Sequence, residues 1–336
     1  MIKCTNTFTN PIVTGGSHGS ADPWVIYKDG FYYYCRSLDG TAIGISKTKR
    51  LQDIGTAKMV KVFEPDPADA EQAVYSKEIW APELHYLQGK WYIYFAADDG
   101  DNYNHRMYVL ESNSQDPQGA YTFKGQLTPL TDRWAIDGTV LEYDGNLYFI
   151  WSGWPGFENE QQNLYIAVMS NPYTIDGDRV LLSEPAEPWE KVTYPGGPTV
   201  NEGPQILKKD GVVHIIYSAS HCSTNEYCLG MITFNGTSAN DIMDPSKWVK
   251  KTDAPVFQKN SATGVFGVGH ASFVQSPDNT ESWILYHAYS SGNPIHDWSE
   301  RTVRAQRFFW NGTVPDFGIP LSLDTVINEP SGTADD

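Results

Sequence analysis

Five copies of one short pattern recur along the chain: an aliphatic or aromatic run, a tight turn, and a second apolar run. They begin at Asp22 (DPWVIYKDGFYYYCRS), Ala81 (APELHYLQGKWYIYFAAD), Asp137 (DGTVLEYDGNLYFIWSGW), Gly203 with Glu202 before it (EGPQILKKDGVVHIIYSAS) and His270 (HASFVQSPDNTESWILYHAYSS), with starts 59, 56, 66 and 67 residues apart. A unit reused at such a period cannot cover its own apolar faces and is covered by its neighbours, which is the mark of a repeat array or a propeller.

Within each copy, stretches such as WVIY, FYYYC, WYIYF, LYFIW and VHIIY are β-branched or aromatic and are bounded by DG, QG or similar turn dipeptides. Each copy therefore reads as an antiparallel hairpin. A further strand follows in four of them (TAIGISKT, HRMYVLESN, NLYIAVMSN, YCLGMITF), with small or polar residues alternating with apolar ones. Three to four strands per copy, without a convincing amphipathic helix, predict an all-β chain folded as a five-bladed β-propeller. A sandwich would account for the strands but not for the repetition. The expected organisation is one catalytic-sized domain over residues 1–325 and a polar C-terminal tail over residues 326–336 that frays.

The 24 basic and 41 acidic residues give a formal charge of −17, which repels phosphate backbones and anionic lipid headgroups. Nucleic acid and membrane are poor partners for such a surface, and a neutral ligand suits it, although acidity also serves solubility alone. The 11 Trp and 20 Tyr exceed what an average core needs. Aromatic faces pack sheets, and sugars stack on them as well. Cys4, Cys35, Cys222 and Cys228 are too few for a disulfide scaffold and lack zinc-type spacing. They read as free thiols, with a local Cys222–Cys228 bridge as the alternative. The start MIKCTNTFTNPIV has no charged leader followed by an apolar core, and no uninterrupted run of about 18 apolar residues follows. The chain as written reads as cytoplasmic, or as secreted if a leader has been removed, and as a monomer or weak oligomer. Asn235 and Asn311 stand in NGT sequons that matter only in a secreted protein.

In a propeller the first strand of each blade lines the central channel, so residues opening the copies converge. The converging set is Asp22, Ala81, Asp137, Glu202 and His270: three carboxylates, one imidazole and one methyl. Taken singly, Asp22 and Asp137 also suit turns, since they precede Pro and Gly, and an isolated His270 also suits a core position bonded to a carbonyl. Glu202, at the start of a strand, has no propensity reason to be there. Three carboxylates gathered near one axis repel one another and resist desolvation, so the joint pattern points to function. Two chemistries fit: hydrolysis with one ionised and one protonated carboxyl, as at glycosidic bonds, or a hard cation such as calcium held by oxygens. A dense calcium loop of the DxDxDG type and a GxSxG nucleophile are both missing.

ADPWVIYKDGFYY, IWAPELHYLQGKWYIYF, IDGTVLEYDGNLYFIW, VNEGPQIL, GHASF and the closing RAQRFFW with FGIP, in this order and spacing, resemble glycoside hydrolase family 43, five-bladed propeller enzymes acting on arabinose and xylose polymers. The resemblance covers nearly the whole chain and implies an inverting mechanism without an organic cofactor. It makes Asp22 the general base, Glu202 the general acid, and Asp137 the third carboxylate that raises the acid's pKa and holds its orientation. It places His270 on the axis, often beside a calcium ion contacted mostly by waters. Trp80 and Trp154 match aromatic positions flanking the sugar, and Arg301, with Arg304 as competitor, matches an arginine reaching the sugar hydroxyls. Glu83, two positions beyond Ala81 on the same strand face, is the runner-up acid.

By the same resemblance, the expected activity is that of an exo-acting α-L-arabinofuranosidase that releases terminal arabinose from arabinan or arabino-oligosaccharides of hemicellulose and pectin side chains. A β-xylosidase or an endo-α-1,5-arabinanase is the alternative. A non-catalytic sugar-binding propeller is the rival from another class.

Overall fold

The structure is a computed structural model that describes residues 6–16 and 19–334; Cys4 and positions 335–336 lie outside the described residues. The remaining cysteines, Cys35, Cys222 and Cys228, are free thiols. The described chain is all-β, and its only helical segments are three-residue 3₁₀ turns. No helix among the described residues is long and apolar enough to cross a membrane.

The strands form five antiparallel meanders in chain order. The first runs through Trp24–Lys28, Phe31–Leu38, Ala42–Thr48 and Met59–Phe63, and the second through Lys77–Leu87, Lys90–Asp98, Arg106–Ser112 and Tyr121–Leu127. The third is built on Ala135–Tyr143, Asn146–Gly153, Gln161–Asn171 and Val180–Ser183, and the fourth on Thr199–Lys209, Val212–Ala219, Cys228–Phe234 and Trp248–Lys250. The fifth comprises Phe266–Gln275, Ser282–Tyr289, Thr302–Asn311 and Val314–Asp316. A two-residue parallel pairing of Gln161–Gln162 with Thr199–Val200 joins the third and fourth into one sheet. Four of the opening hairpins turn on two residues with positive φ: Asp29–Gly30, Gln88–Gly89, Asp144–Gly145 and Asp210–Gly211. That backbone twist matches the right-handed twist of the flanking strands, which is why DG and QG mark these turns so legibly.

Side chains of a strand alternate between its two faces. Here neighbours go to different cores. Tyr33 packs with Leu84 and Ile93 between the first and second meanders, whereas Tyr34 packs with Leu285 and Val303 between the first and fifth. Tyr94 and Phe149 fill the layer between second and third, and Ile150 and Ile215 that between third and fourth. Ile216 and Ile284 fill the layer between fourth and fifth. Both faces of the inner strands are thus buried, so their sequences read as continuous apolar runs rather than as alternation. Each fully buried aliphatic side chain contributes about 1.5–3 kcal/mol.

The ring of layers closes from the fifth meander back to the first. Ile12 and Val13 donate their N–H groups to the carbonyl of Val303, and Thr7–Phe8 pairs with Ile327–Asn328. The fraying expected of the tail does not hold for residues 326–334. Ile327 and Thr333 are buried, and Glu329 Oε2 meets Arg50 Nη1 at 2.9 Å.

The five openings share a backbone conformation. Asp22, Ala81, Asp137, Gly203 and His270 have φ of 48°, 41°, 56°, 54° and 45°. In the last four copies the ladder register also shifts there, as at a β-bulge. Asp and His tolerate this left-handed region better than most residues, and Gly has no penalty in it. The kinks aim one end of every first strand at a common cavity.

Candidate active site

The cavity has a volume of about 500 Å³, and all five kinks reach it: Asp22, Ala81, Asp137, Glu202 beside Gly203, and His270 line it with Arg301 and three tryptophans, Trp80, Trp134 and Trp298. All five members of the converging set thus line one cavity. The fourth is offset by one residue. Gly203 occupies the kink, and Glu202 precedes it, paired with Ser218 in the regular ladder.

Asp22 is the most open of the three acids, its side chain 24% exposed against 5% for Asp137, with Glu202 also buried. Asp22 Oδ1 lies 3.2 Å from Nδ1 of both His270 and His287, and 3.9 Å from Arg301 Nη1. Burial alone would raise this carboxyl. The charge interactions with His270 and Arg301 and the hydrogen bond to His287 outweigh it and hold Asp22 well below the usual carboxylate range. Glu202 behaves oppositely. Burial, then the like charge of Asp22, push it up to about 7, against the opposing hydrogen bond from Tyr227 and the charge of Arg301. Tyr227 donates to Glu202 Oε1 at 2.9 Å.

Asp137 is raised well above its ordinary value, by burial first and then by the charges of Glu202 and Asp22. Its Oδ2 accepts the Gly203 N–H at 3.0 Å, so the third carboxyl grips the peptide next to the acid. That contact fits the orienting role expected of it. The like charge that lifts Glu202, however, comes from Asp22.

Several predicted residues fall elsewhere. Trp154 is buried and does not line the cavity; it stacks behind Trp134, which does, with ring centroids 4.9 Å apart. Trp154 follows the end of the strand Asn146–Gly153 and packs into the layer between the second and third meanders. Arg304 is also fully buried, and its Nη2 donates to the Tyr289 carbonyl and to Ser290 Oγ away from the cavity. Of the two candidates, Arg301 is the one that lines the cavity. Glu83 lies beneath the cavity, 2.8 Å from His85 Nε2 and hydrogen-bonded by Gln205, so it is no acid for a ligand. Trp80 does line the cavity. Its ring stacks on His105 with centroids 4.1 Å apart, and its Nε1 donates to Glu78 Oε2.

Trp134, Trp298, His287 and Tyr227 escaped the sequence reading. Trp134 stands three residues before Asp137, and the fifth hairpin pairs His287 with Gly269, next to the opening His270. Both signals were present. Nothing local distinguishes Tyr227 or Trp298, which loops bring in from between strands.

No three His, Cys, Asp or Glu side chains among the described residues group so as to hold a metal ion. His270 Nδ1 faces Asp22 and Asp137 instead. The donor set does not fit a cation held by protein ligands. Chemically, the cavity presents one ionised, water-accessible carboxylate together with a buried carboxyl that keeps its proton to near neutrality, between aromatic walls.

The sequence profile of glycosyl hydrolases family 43 matches residues 8–314. The extracellular exo-alpha-(1->5)-L-arabinofuranosidase of Streptomyces avermitilis is 36% identical over 325 residues, which cover 94% of this chain and 64% of that protein. The chain thus spans under two thirds of this relative's length. The Streptomyces chartreusis protein of the same name is 34% identical over 84% of this chain and 82% of its own length. Among solved structures, the alpha-L-arabinofuranosidase from Lactobacillus brevis superposes with a TM-score of 0.83 at 33% identity, covering 95% of this chain and 98% of that one.

Proposed function

The chain belongs to glycosyl hydrolases family 43, and from that membership we propose that it is an exo-acting α-L-arabinofuranosidase, releasing terminal L-arabinose from arabinan or arabino-oligosaccharides with inversion. On this reading the five meanders are the five blades of a β-propeller. The observation that carries the proposal is the opposed state of two carboxyls in one cavity, Asp22 held ionised and open to water, Glu202 held protonated and buried.

The reaction is a single displacement. Asp22 takes a proton from a water that attacks the anomeric carbon, while Glu202 gives its proton to the glycosidic oxygen as that bond breaks. Inversion needs the two carboxyls about 6.5–9.5 Å apart, so that a water fits between base and sugar. Asp137 fixes the peptide beside the acid, His270, His287 and Arg301 hold the base, and Trp80 and Trp134 offer faces to the sugar. A binding protein for a neutral sugar has no use for three acids at such electrostatic cost. A calcium ion at His270 belongs to the proposal only as one carried largely by waters, and no step above runs through it.

The extracellular setting in the names of the two Streptomyces relatives favours secretion over the cytoplasm. The test is digestion of α-1,5-arabinotriose followed by NMR. Arabinose released from the non-reducing end, first as the β-anomer, is the expected result. Release of xylose from xylobiose in its place, or of internal fragments from arabinan, would turn the assignment to β-xylosidase or endo-arabinanase.

A further inference from the structure

Tyr227 is fully buried, and its hydroxyl donates to Glu202 Oε1 at 2.9 Å. Its place is tightly determined. A Cβ on Gly269 would come within 2.1 Å of Tyr227 Cε1, so the ring can lie where it does only because residue 269 is glycine. On another side the ring stacks on His287, with centroids 5.4 Å apart and planes 8° from parallel. Burial pushes the phenol well above its ordinary pKa, so it remains a donor throughout the working range.

A chain of hydrogen bonds leads to the phenol from the far end. The His270 amide can only donate, and it donates to Ser218 Oγ at 2.8 Å. The Ser218 hydroxyl accepts there and keeps its own hydrogen to donate to the Tyr227 phenol, with which it is hydrogen-bonded. The phenol hydrogen then goes to Glu202 Oε1. A protonated carboxyl has one hydroxyl oxygen and one acceptor oxygen, and the acceptor here is Oε1.

We propose that Tyr227 is a positioning residue for the acid: by occupying Oε1 it confines the transferable proton of Glu202 to Oε2. This rests on the reading of Glu202 as general acid. In the step itself the Oε2–H bond breaks and its proton goes to the glycosidic oxygen. The electron pair of the broken anomeric carbon–oxygen bond stays on that oxygen, and the attacking water loses its proton to Asp22.

The test is Tyr227→Phe, which keeps the ring on His287 and against Gly269 and removes only the hydroxyl. Proton donation matters for a poor leaving group and little for a good one. On arabinobiose the variant should lose about 10- to 100-fold in kcat, while on 2,4-dinitrophenyl α-L-arabinofuranoside it should stay within about threefold. The basic limb of kcat/KM should also move up by about one pH unit, since a hydrogen bond favouring the charged form is gone. The charges of Asp22, Asp137 and Arg301 and the Cys222 thiol, which also face Glu202, are unchanged in the variant. Glu202→Ala run beside it should show the same leaving-group split, more strongly. If Glu202→Ala shows no split, the acid reading falls and the proposal with it. If Glu202→Ala shows the split and Tyr227→Phe slows both substrates equally, or neither, the role of Tyr227 is overturned and the acid stands. Should Tyr227→Phe fail to fold, Ser218→Ala serves in its place. It should give the same split at smaller size, and equal loss on both substrates would overturn the proposal.

Discussion

Trp134 and Trp154 stack with ring centroids 4.9 Å apart and planes 10° from parallel, and only Trp134 meets the cavity. The pair divides one aromatic wall into a face and a backing. Trp134→Ala should raise KM for arabino-oligosaccharides about tenfold, corresponding to about 1.4 kcal/mol, within the range of one lost aromatic contact. Trp154→Ala should instead cost about 3–5 kcal/mol of stability, read as a lowered denaturation midpoint, because it empties a core position.

The pH dependence of activity follows from the two opposed carboxyls. Glu202 must keep its proton, and it titrates at about 7. Activity on arabinobiose should therefore fall as pH rises through about 7. Asp22 must stay ionised, and it is held well below the usual carboxylate range, so the acid limb should lie below about pH 4. A kcat/KM profile between these limits checks both edges.

Arg301 and Arg304 should separate cleanly. Arg301→Met removes a cation near Asp22 Oδ1, so the base should become easier to protonate and the acid limb should move up, with kcat/KM down about tenfold or more. Arg304→Met changes a buried side chain that bonds Tyr289 and Ser290 away from the cavity. Its folded fraction should retain activity within about threefold while its melting temperature moves. Steady-state kinetics beside thermal unfolding tells the two apart.

At Gly203, a Cβ would sit 3.2 Å from both His270 Nδ1 and Ser218 Oγ, at a φ of +54°. Gly203→Ala should cost about 1–2 kcal/mol in stability from backbone handedness alone. It should also lower kcat, since the Gly203 amide is the group Asp137 grips. Circular-dichroism melts and initial rates on the same preparation measure both.

The hairpins and the openings were legible because each rests on local chemistry: DG and QG turns take positive φ at both central residues, and Asp or His at a kink tolerates the left-handed region. Glu202 shows that the repeat tolerates an offset. Its copy puts glycine at the kink, and the carboxylate shifts by one position along the strand. Trp154 and Arg304 were misplaced. Arg304 lies on a strand whose two faces depend on a register that spacing alone does not fix, and Trp154 lies just past a strand's end, where no period sets the direction of a side chain. Tyr227 comes to the acid only through tertiary packing, so it carries no signal within its own segment.

The most direct measurement is kcat/KM on arabinobiose for Asp22→Ala and Glu202→Ala, each confirmed folded. The account predicts a loss of about 10²-fold or more in each, the size of a general acid or base contribution. Activity within about tenfold of the parent in either variant would contradict it.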